Sequence, residues 1–287
     1  MKIIDVKVLT GDSSFLLDDG KVSILVDSGF GFTGEEMTNK IADYLGDRKL
    51  DYIFLTHSHY DHVLGSINAA LRYPEAKVVA GAYASKIFAK PTARALMHKL
   101  DSEFAKECGY GDYADLTEHL KVDIEVEDGD TIKTGDLTWQ VIGLPGHTKC
   151  SVGYYCVEEK LLIGVESLGV YGKNGIVMPS YLVGYQMVMD SIARVKALNP
   201  EKILIPHYGV IEGEEAKVYL MASEKSSVED AKMIKRAILE GKTDEEIVSM
   251  LHEKYYFGYI ETIYPIAAFT LNAGITVRLL RNEEIEF

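Results

Sequence analysis

Cysteine is scarce in this chain, and the three it has, Cys108, Cys150 and Cys156, stand in neither a metal-binding nor a redox spacing. That argues against a disulfide framework and predicts reduced thiols. No apolar run approaches the ~18 residues of a membrane span, and the start Met1-Lys2-Ile3-Ile4-Asp5 lacks the apolar stretch of a signal peptide. The expectation is a soluble cytoplasmic protein with no membrane partner. Basic residues are outnumbered, 30 Lys and Arg against 44 Asp and Glu, for a net charge of −14. Such a balance argues against a general electrostatic grip on nucleic acid. Internal repeats, low-complexity tracts and flexible linkers are missing too. With 47% hydrophobic residues over 287 positions, the chain can bury one large core or two modest ones.

What the chain does have is histidine in one place. Three of its eight histidines fall within six positions, His57-Ser58-His59-Tyr60-Asp61-His62, just after the apolar run Ile53-Phe54-Leu55. Imidazole nitrogen and carboxylate oxygen are the ligands that zinc and related first-row metals take. His57 and His59 lie two apart, so on an extended segment they face the same side. A turn into helix near His62 would carry Asp61 and His62 to a neighbouring position, close enough to serve a second metal. The alternative, a polar loop with chance histidines, fits such crowding poorly.

In this run the sequence resembles the metallo-β-lactamase superfamily, and the remaining signature blocks follow in order. Val22-Ser23-Ile24-Leu25-Val26-Asp27-Ser28-Gly29 supplies an acidic block after an early strand, Leu144-Pro145-Gly146-His147-Thr148 a glycine-rich histidine block, and Ile203-Leu204-Ile205-Pro206-His207 a histidine after a short apolar strand. Leu161-Leu162-Ile163-Gly164-Val165-Glu166-Ser167 stands where the family has a strand ending in an acid, with glutamate in place of the usual aspartate. The resemblance implies His57, His59 and His147 on one metal and Asp61, His62 and His207 on a second, with Glu166 and a water-derived hydroxide between them. Glutamate keeps the charge and ligand atoms on a longer stem, so it can bridge, bind one metal only, or weaken the second site. A surface carboxylate is the plain reading of Glu166, but the apolar run before it points to burial, where a carboxylate needs a partner. Asp27 is read equally as a residue orienting a ligand histidine or as a cap of the Ser28-Gly29 turn.

The architecture implied is α/β, an αββα metallo-β-lactamase-type sandwich with a C-terminal helical extension. A core over 1–223, with a helical insertion near 82–120, would precede an extension over 224–287. Patterning predicts strands at 2–10, 14–18, 21–27, 52–55, 77–80, 122–126, 137–143, 151–157, 160–165 and 202–205, with helices at 33–46, 181–198 and 213–240. Thr243-Asp244-Glu245-Glu246 is a capping box opening a further helix. The insertion carries Phe88, Phe104, Tyr110 and Tyr113, read as a lid, a dimer contact or core packing. A homodimer stays open. Tyr255, Tyr256, Phe257, Tyr259 and Tyr264 are read as docking the extension on the core, ahead of the substrate-entry or dimerising role that the resemblance implies for such extensions.

Tyr171, Met178, Tyr181 and Tyr185, after Glu166, are candidates for substrate contact or for packing the loop, followed by Tyr208. His98, His119 and His252 read as solvated, and Cys150 as a small buried filler. Among branches of the family, antibiotic-degrading members often carry cysteine at the Glu166 position, and flavodiiron members carry glutamate at the His59 position and an added flavodoxin domain. Thioester hydrolases of the glyoxalase II type and lactonases are the nearest analogies. The resemblance thus implies a binuclear hydrolase of a small ester, thioester or lactone, with Asp61 catalytic, holding two divalent ions, zinc first and manganese or iron next. Attack by a metal-activated hydroxide needs no nucleophilic side chain. The alternatives are a phosphodiesterase and a weakly catalytic ligand-binding or regulatory member.

Overall fold

The structure is a computed structural model that describes residues 1–285. The chain divides into two compact units, one of residues 1–143 with 152–159, the other of 144–151 with 160–287. The first carries β1 (Lys2–Asp5), β2 (Phe15–Asp18), β3 (Ser23–Val26), α1 (Gly34–Leu45), β4 (Tyr52–Leu55), α2 (Tyr60–Val63) and α3 (Ser66–Arg72). It continues with β5 (Lys77–Gly81), α4 (Ala82–Phe88), α5 (Pro91–Glu107), β6 (Ile124–Val126), β7 (Thr131–Thr134), β8 (Leu137–Gly143) and β9 (Val152–Cys156). β1 to β6 form one sheet in chain order. The first two pairings are antiparallel and the remaining three are parallel. The inner parallel strands β3 and β4 carry apolar runs, Ile24-Leu25-Val26 and Ile53-Phe54-Leu55, as strands buried on both faces do. Ile53, Phe54 and Leu55 of β4 are all buried.

β7, β8 and β9 form an antiparallel ladder. The chain's single tryptophan, Trp139 on β8, packs edge-on against Phe54, with ring centroids 5.5 Å apart. Tyr154 on β9 lies 4.7 Å from the same ring and donates its hydroxyl to the Leu55 carbonyl at 2.8 Å. The strand that leads into the histidine run is thus fixed through its side chains and its backbone.

The second unit carries β10 (Leu161–Ile163), β11 (Val170–Tyr171), β12 (Val177–Met178), α6 (Tyr185–Leu198), β13 (Lys202–Ile205) and β14 (Gly209–Glu212). The helices α7 (Glu214–Leu239), α8 (Asp244–Tyr255), α9 (Gly258–Ile263) and α10 (Ile266–Asn282) follow. β10 pairs parallel with β13, which pairs antiparallel with β14, while β11 and β12 form a hairpin. Sheets flanked by helices, with helices filling the C-terminal part, give the mixed α/β fold expected. The capping box is present: Glu246 N–H donates to the Thr243 hydroxyl at 3.2 Å and Thr243 N–H to the Glu246 carboxylate at 2.8 Å. No helix among the described residues is long and apolar enough to cross a membrane.

Two boundaries differ from expectation for visible reasons. The strand expected over 2–10 ends at Asp5 because Asp12 accepts hydrogen bonds from Val8 and Leu9 N–H, turning the backbone out of the ladder. The helix expected from 181 starts at Tyr185, since Leu182 and Val183 N–H both donate to the Gly146 carbonyl. The short strands β7 and β14, with one and two apolar residues, lacked a run long enough to announce them.

Phe104 and Tyr110 of the 82–120 stretch pack against rings of their own unit, while Tyr83 is exposed. Phe104 lies 4.8 Å from Phe30, and Tyr110 lies 4.8 Å from Phe32. Asp101 of α5 is fully buried and accepts hydrogen bonds from Gly31 and Phe32 N–H, each at 3.2 Å, and from the Tyr113 hydroxyl. Burial outweighs these bonds and pushes its carboxyl up to about 7, from the 3.8 of an ordinary aspartate. Between about pH 4 and 7 the folded chain therefore keeps a proton that the unfolded chain has released. The Asp101 contribution is complete below that window and is lost as pH rises through it. Asp101→Asn, whatever its absolute stability, should gain about 2–3 kcal/mol on wild type between pH 5 and pH 8. Denaturant titrations at the two pH values check this, and parallel profiles would refute it.

Candidate metal centre

In the first unit the site grows from two parallel neighbours that end at the same level. β3 delivers Asp27, and β4 delivers Thr56 and His57. Asp27 has a φ of 48°, and its N–H donates to the Phe54 carbonyl at 2.8 Å. Its carboxylate, 1% exposed, accepts the Thr56 N–H and hydroxyl, both at 2.9 Å, and meets His62 Nδ1 at 2.8 Å. Since Thr56 spends its hydroxyl hydrogen on Asp27, its oxygen is left to accept from His57 Nδ1, 3.1 Å away. Both imidazoles are thereby set with Nδ1 as donor, which leaves Nε2 as the nitrogen able to take a metal. The Asp27 carboxylate orients His62 directly and His57 through Thr56; turn capping is not its main work.

The chain turns at His59 into α2, one turn long. His57 and His59 have ring centroids 4.7 Å apart, and His57 and His62 4.1 Å apart. Asp61 Oδ2 lies 3.7 Å from His62 Nε2. The Ser28 N–H and hydroxyl donate to the His62 carbonyl at 2.7 and 2.9 Å, closing the turn. Gly65 makes this approach possible, because a Cβ there would sit 2.0 Å from the Ser28 carbonyl oxygen. The four predicted residues His57, His59, Asp61 and His62 are thus gathered in one place.

In the second unit β10 and β13, again parallel, lead to Glu166 and His207. Glu166, buried, opens a 3-10 turn over Glu166–Leu168. Its Oε1 lies 3.1 Å from His207 Nε2, so it is no surface carboxylate. His207 has a φ of 63°, in the left-handed region. His147 sits on the 144–151 segment, where its Nδ1 pairs with the Ser180 hydroxyl at 2.7 Å and its N–H donates to Ser167 Oγ at 3.0 Å. Gly146, with a φ of 133°, lets that segment pass α6, since a Cβ there would meet Val188 Cγ2 at 2.4 Å.

The donor set fits a divalent first-row metal. All seven predicted ligands offer imidazole nitrogen or carboxylate oxygen, in clusters able to hold a metal ion. Nδ1 is engaged in His57, His62 and His147, as expected of histidines that coordinate through Nε2. Thr56, Ser167 and Ser180 were missed in the sequence, because a supporting hydroxyl has no spacing rule of its own.

The other candidates sort by burial. Tyr171, Tyr181 and Tyr185 are 5%, 0% and 5% exposed, so they pack the loop. Tyr208 is partly exposed. His119 is exposed as expected. His98 instead bonds Tyr113 at 3.3 Å, and His252 stacks on Tyr256 at 4.8 Å, because neighbouring aromatics cover both. Cys150 is buried.

The metallo-beta-lactamase superfamily model matches residues 9–207, and the chain belongs to that superfamily, whose fold is of hydrolase type. A metallo-beta-lactamase fold-containing protein of Sulfurisphaera tokodaii is 32% identical over 197 residues, covering 67% of this chain and 70% of its own. A hydroxyacylglutathione hydrolase of Nitrobacter winogradskyi is 28% identical over 146 residues, which are 51% of this chain and 43% of that protein. The solved structure of an archaeal metallo-beta-lactamase superfamily protein from Sulfolobus tokodaii aligns with a TM-score of 0.59 at 22% identity, over 96% of this chain and 94% of that one. At that identity the likeness concerns the fold.

An amide in place of the Asp27 carboxylate would turn an N–H towards donors. Asp27→Asn should weaken metal binding by about 10–100-fold and cost about 1–3 kcal/mol of stability. Chelator competition and denaturant unfolding read the two effects; unchanged metal affinity would refute the orienting role.

Proposed function

We propose that this chain is a binuclear metal-dependent hydrolase of a small ester, thioester or lactone. The observation that carries the reading is the engagement of Nδ1 in His57, His62 and His147, a preparation of Nε2 that a purely structural histidine does not need. His57, His59 and His147 would hold one ion, and Asp61, His62 and His207 the other, with Glu166 serving one or both. Bound divalent ions supply Lewis acidity and bring a water to a pKa near ~7. Zinc suits this imidazole-rich set, with manganese or iron as alternatives. Asp61, partly exposed beside His62, is placed to take a proton from the attacking water and orient it. Asp27 keeps the imidazoles in the required tautomer throughout.

An acyl substrate with a carboxylate tail is favoured by one further feature. Lys173, at the tip of the β11–β12 hairpin, lies over the rings of Tyr259 at 4.0 Å and Tyr208 at 5.7 Å. Tyr208 follows His207, so this cation is held beside a metal ligand and can pair with an anionic group. Superfamily membership and the similarity to hydroxyacylglutathione hydrolases support the same substrate class.

Protein purified without chelators should carry about two divalent ions per chain by elemental mass spectrometry. It should turn over thioesters or lactones with carboxylate tails in preference to phosphodiesters. Metal-free protein, or selective phosphodiester cleavage, would overturn the proposal.

The glutamate is expected to be an adaptation of this chain. Its carboxylate meets His207 at 3.1 Å from a buried turn, and a shorter stem would withdraw it. Glu166→Asp should lower kcat by about 10-fold or more, in line with a misplaced catalytic group. A rise in turnover would instead mark wild type as a decayed, ligand-binding site.

A further inference from the structure

The metal-ligand turns of the second unit are gripped from behind by hydroxyls of the C-terminal helices. Tyr259, on α9, donates its hydroxyl to the His207 carbonyl at 2.9 Å across 52 residues of sequence. On α7, Tyr219 donates to the Gly169 carbonyl at 2.7 Å and Ser223 to the Leu168 carbonyl at 2.6 Å. These two carbonyls belong to the turn that opens with Glu166. The grip on His207 has a specific task. With a φ of 63°, His207 holds a conformation that side-chain-bearing residues rarely adopt, so an outside contact must keep it there. That conformation sends the carbonyl to Tyr259 and Nε2 to Glu166.

α9 is itself well placed to act as a support. Ile260 and Ile263 are buried, and the Tyr259 ring meets Tyr208 edge-on at 5.6 Å. The hairpin tip leans on the same helix, since a Cβ on Gly172 would meet Ile260 Cδ1 at 3.0 Å.

We propose that Tyr259 is a positioning residue for the metal ligand His207: its hydroxyl holds the backbone conformation that aims Nε2 beside Glu166. This rests on the reading of Glu166 and His207 as metal ligands. Tyr259 touches neither ion nor substrate in this role, and acts through the His207 carbonyl alone.

Tyr259→Phe removes the hydroxyl and keeps the ring against Tyr208 and Lys173. The test uses the full-length protein stripped of metal and titrated with cobalt(II) under chelator competition, following visible absorption. The second cobalt should bind about 10-fold more weakly in the variant, with a shifted absorption band. Metal-free thermal unfolding should stay close to wild type, since only one partly exposed hydroxyl is lost. Equal cobalt affinity and an identical spectrum would overturn the inference, and so would a loss of metal-free stability with no change in cobalt binding. His207→Ala separates the two levels of the argument. If it still binds two cobalt ions, the ligand reading fails; if it loses one while Tyr259→Phe behaves as wild type, only the role of Tyr259 fails.

Discussion

A carboxylate at the end of β3 has to satisfy donors from three other segments, those of Ser13, Thr56 and His62, and the histidine cluster depends on its doing so. Asp27 is almost wholly buried, where an ionised carboxylate is costly without partners. It collects the Thr56 N–H, the Thr56 hydroxyl and His62 Nδ1. A carboxylate is the one side-chain group that accepts through both oxygens at once. Each bond then propagates. Thr56, with its hydrogen committed, accepts from His57, and His62, with its ring held, is fixed at the backbone by Ser28. One charge thus sets the tautomer and orientation of two imidazoles on different segments.

The second unit reaches the same kind of arrangement with neutral groups. His147 leans on Ser180, and its backbone on Ser167, which also donates to the Leu144 carbonyl. A carboxylate partner raises the basicity of an imidazole more than a hydroxyl does. His62 is thus held by a charged partner and His147 by a neutral one. Parallel strand pairs underlie both halves, β3 with β4 and β10 with β13. Neighbouring parallel strands end on the same side, so residues just beyond them meet without a long loop.

The histidine run was legible because coordination demands several ligands of one kind on one side of a short segment, which leaves a pattern in the sequence. The buried strands were legible for a similar reason, as apolar runs with few interruptions. Asp27 was only half legible: strand-end capping and ligand orientation call for the same residue, and the partner that decides between them, His62, is 35 residues away. The tyrosines after Glu166 misled because an aromatic in a glycine-rich loop reads alike whether it faces a substrate or the core. Burial of Tyr181 at 0% exposure assigns it to the core. The hydroxyls of Tyr219, Ser223 and Tyr259 were invisible, since each bonds a backbone carbonyl, and every residue has one.

The charge of the chain bears on how a substrate of the proposed kind arrives. At −14 the protein repels anions as a whole, but at physiological ionic strength the screening length is about 8 Å. Exposed charges further off than that are largely screened, so local charge weighs most. Lys173 is held by cation-π contact against Tyr259 and against Tyr208, the residue that follows His207. An aromatic cradle fixes a lysine while leaving its ammonium able to accept a further anion, which a salt bridge would not. For a substrate of the proposed kind, a cation fixed in this way would supply at close range the attraction that the net charge of the chain does not.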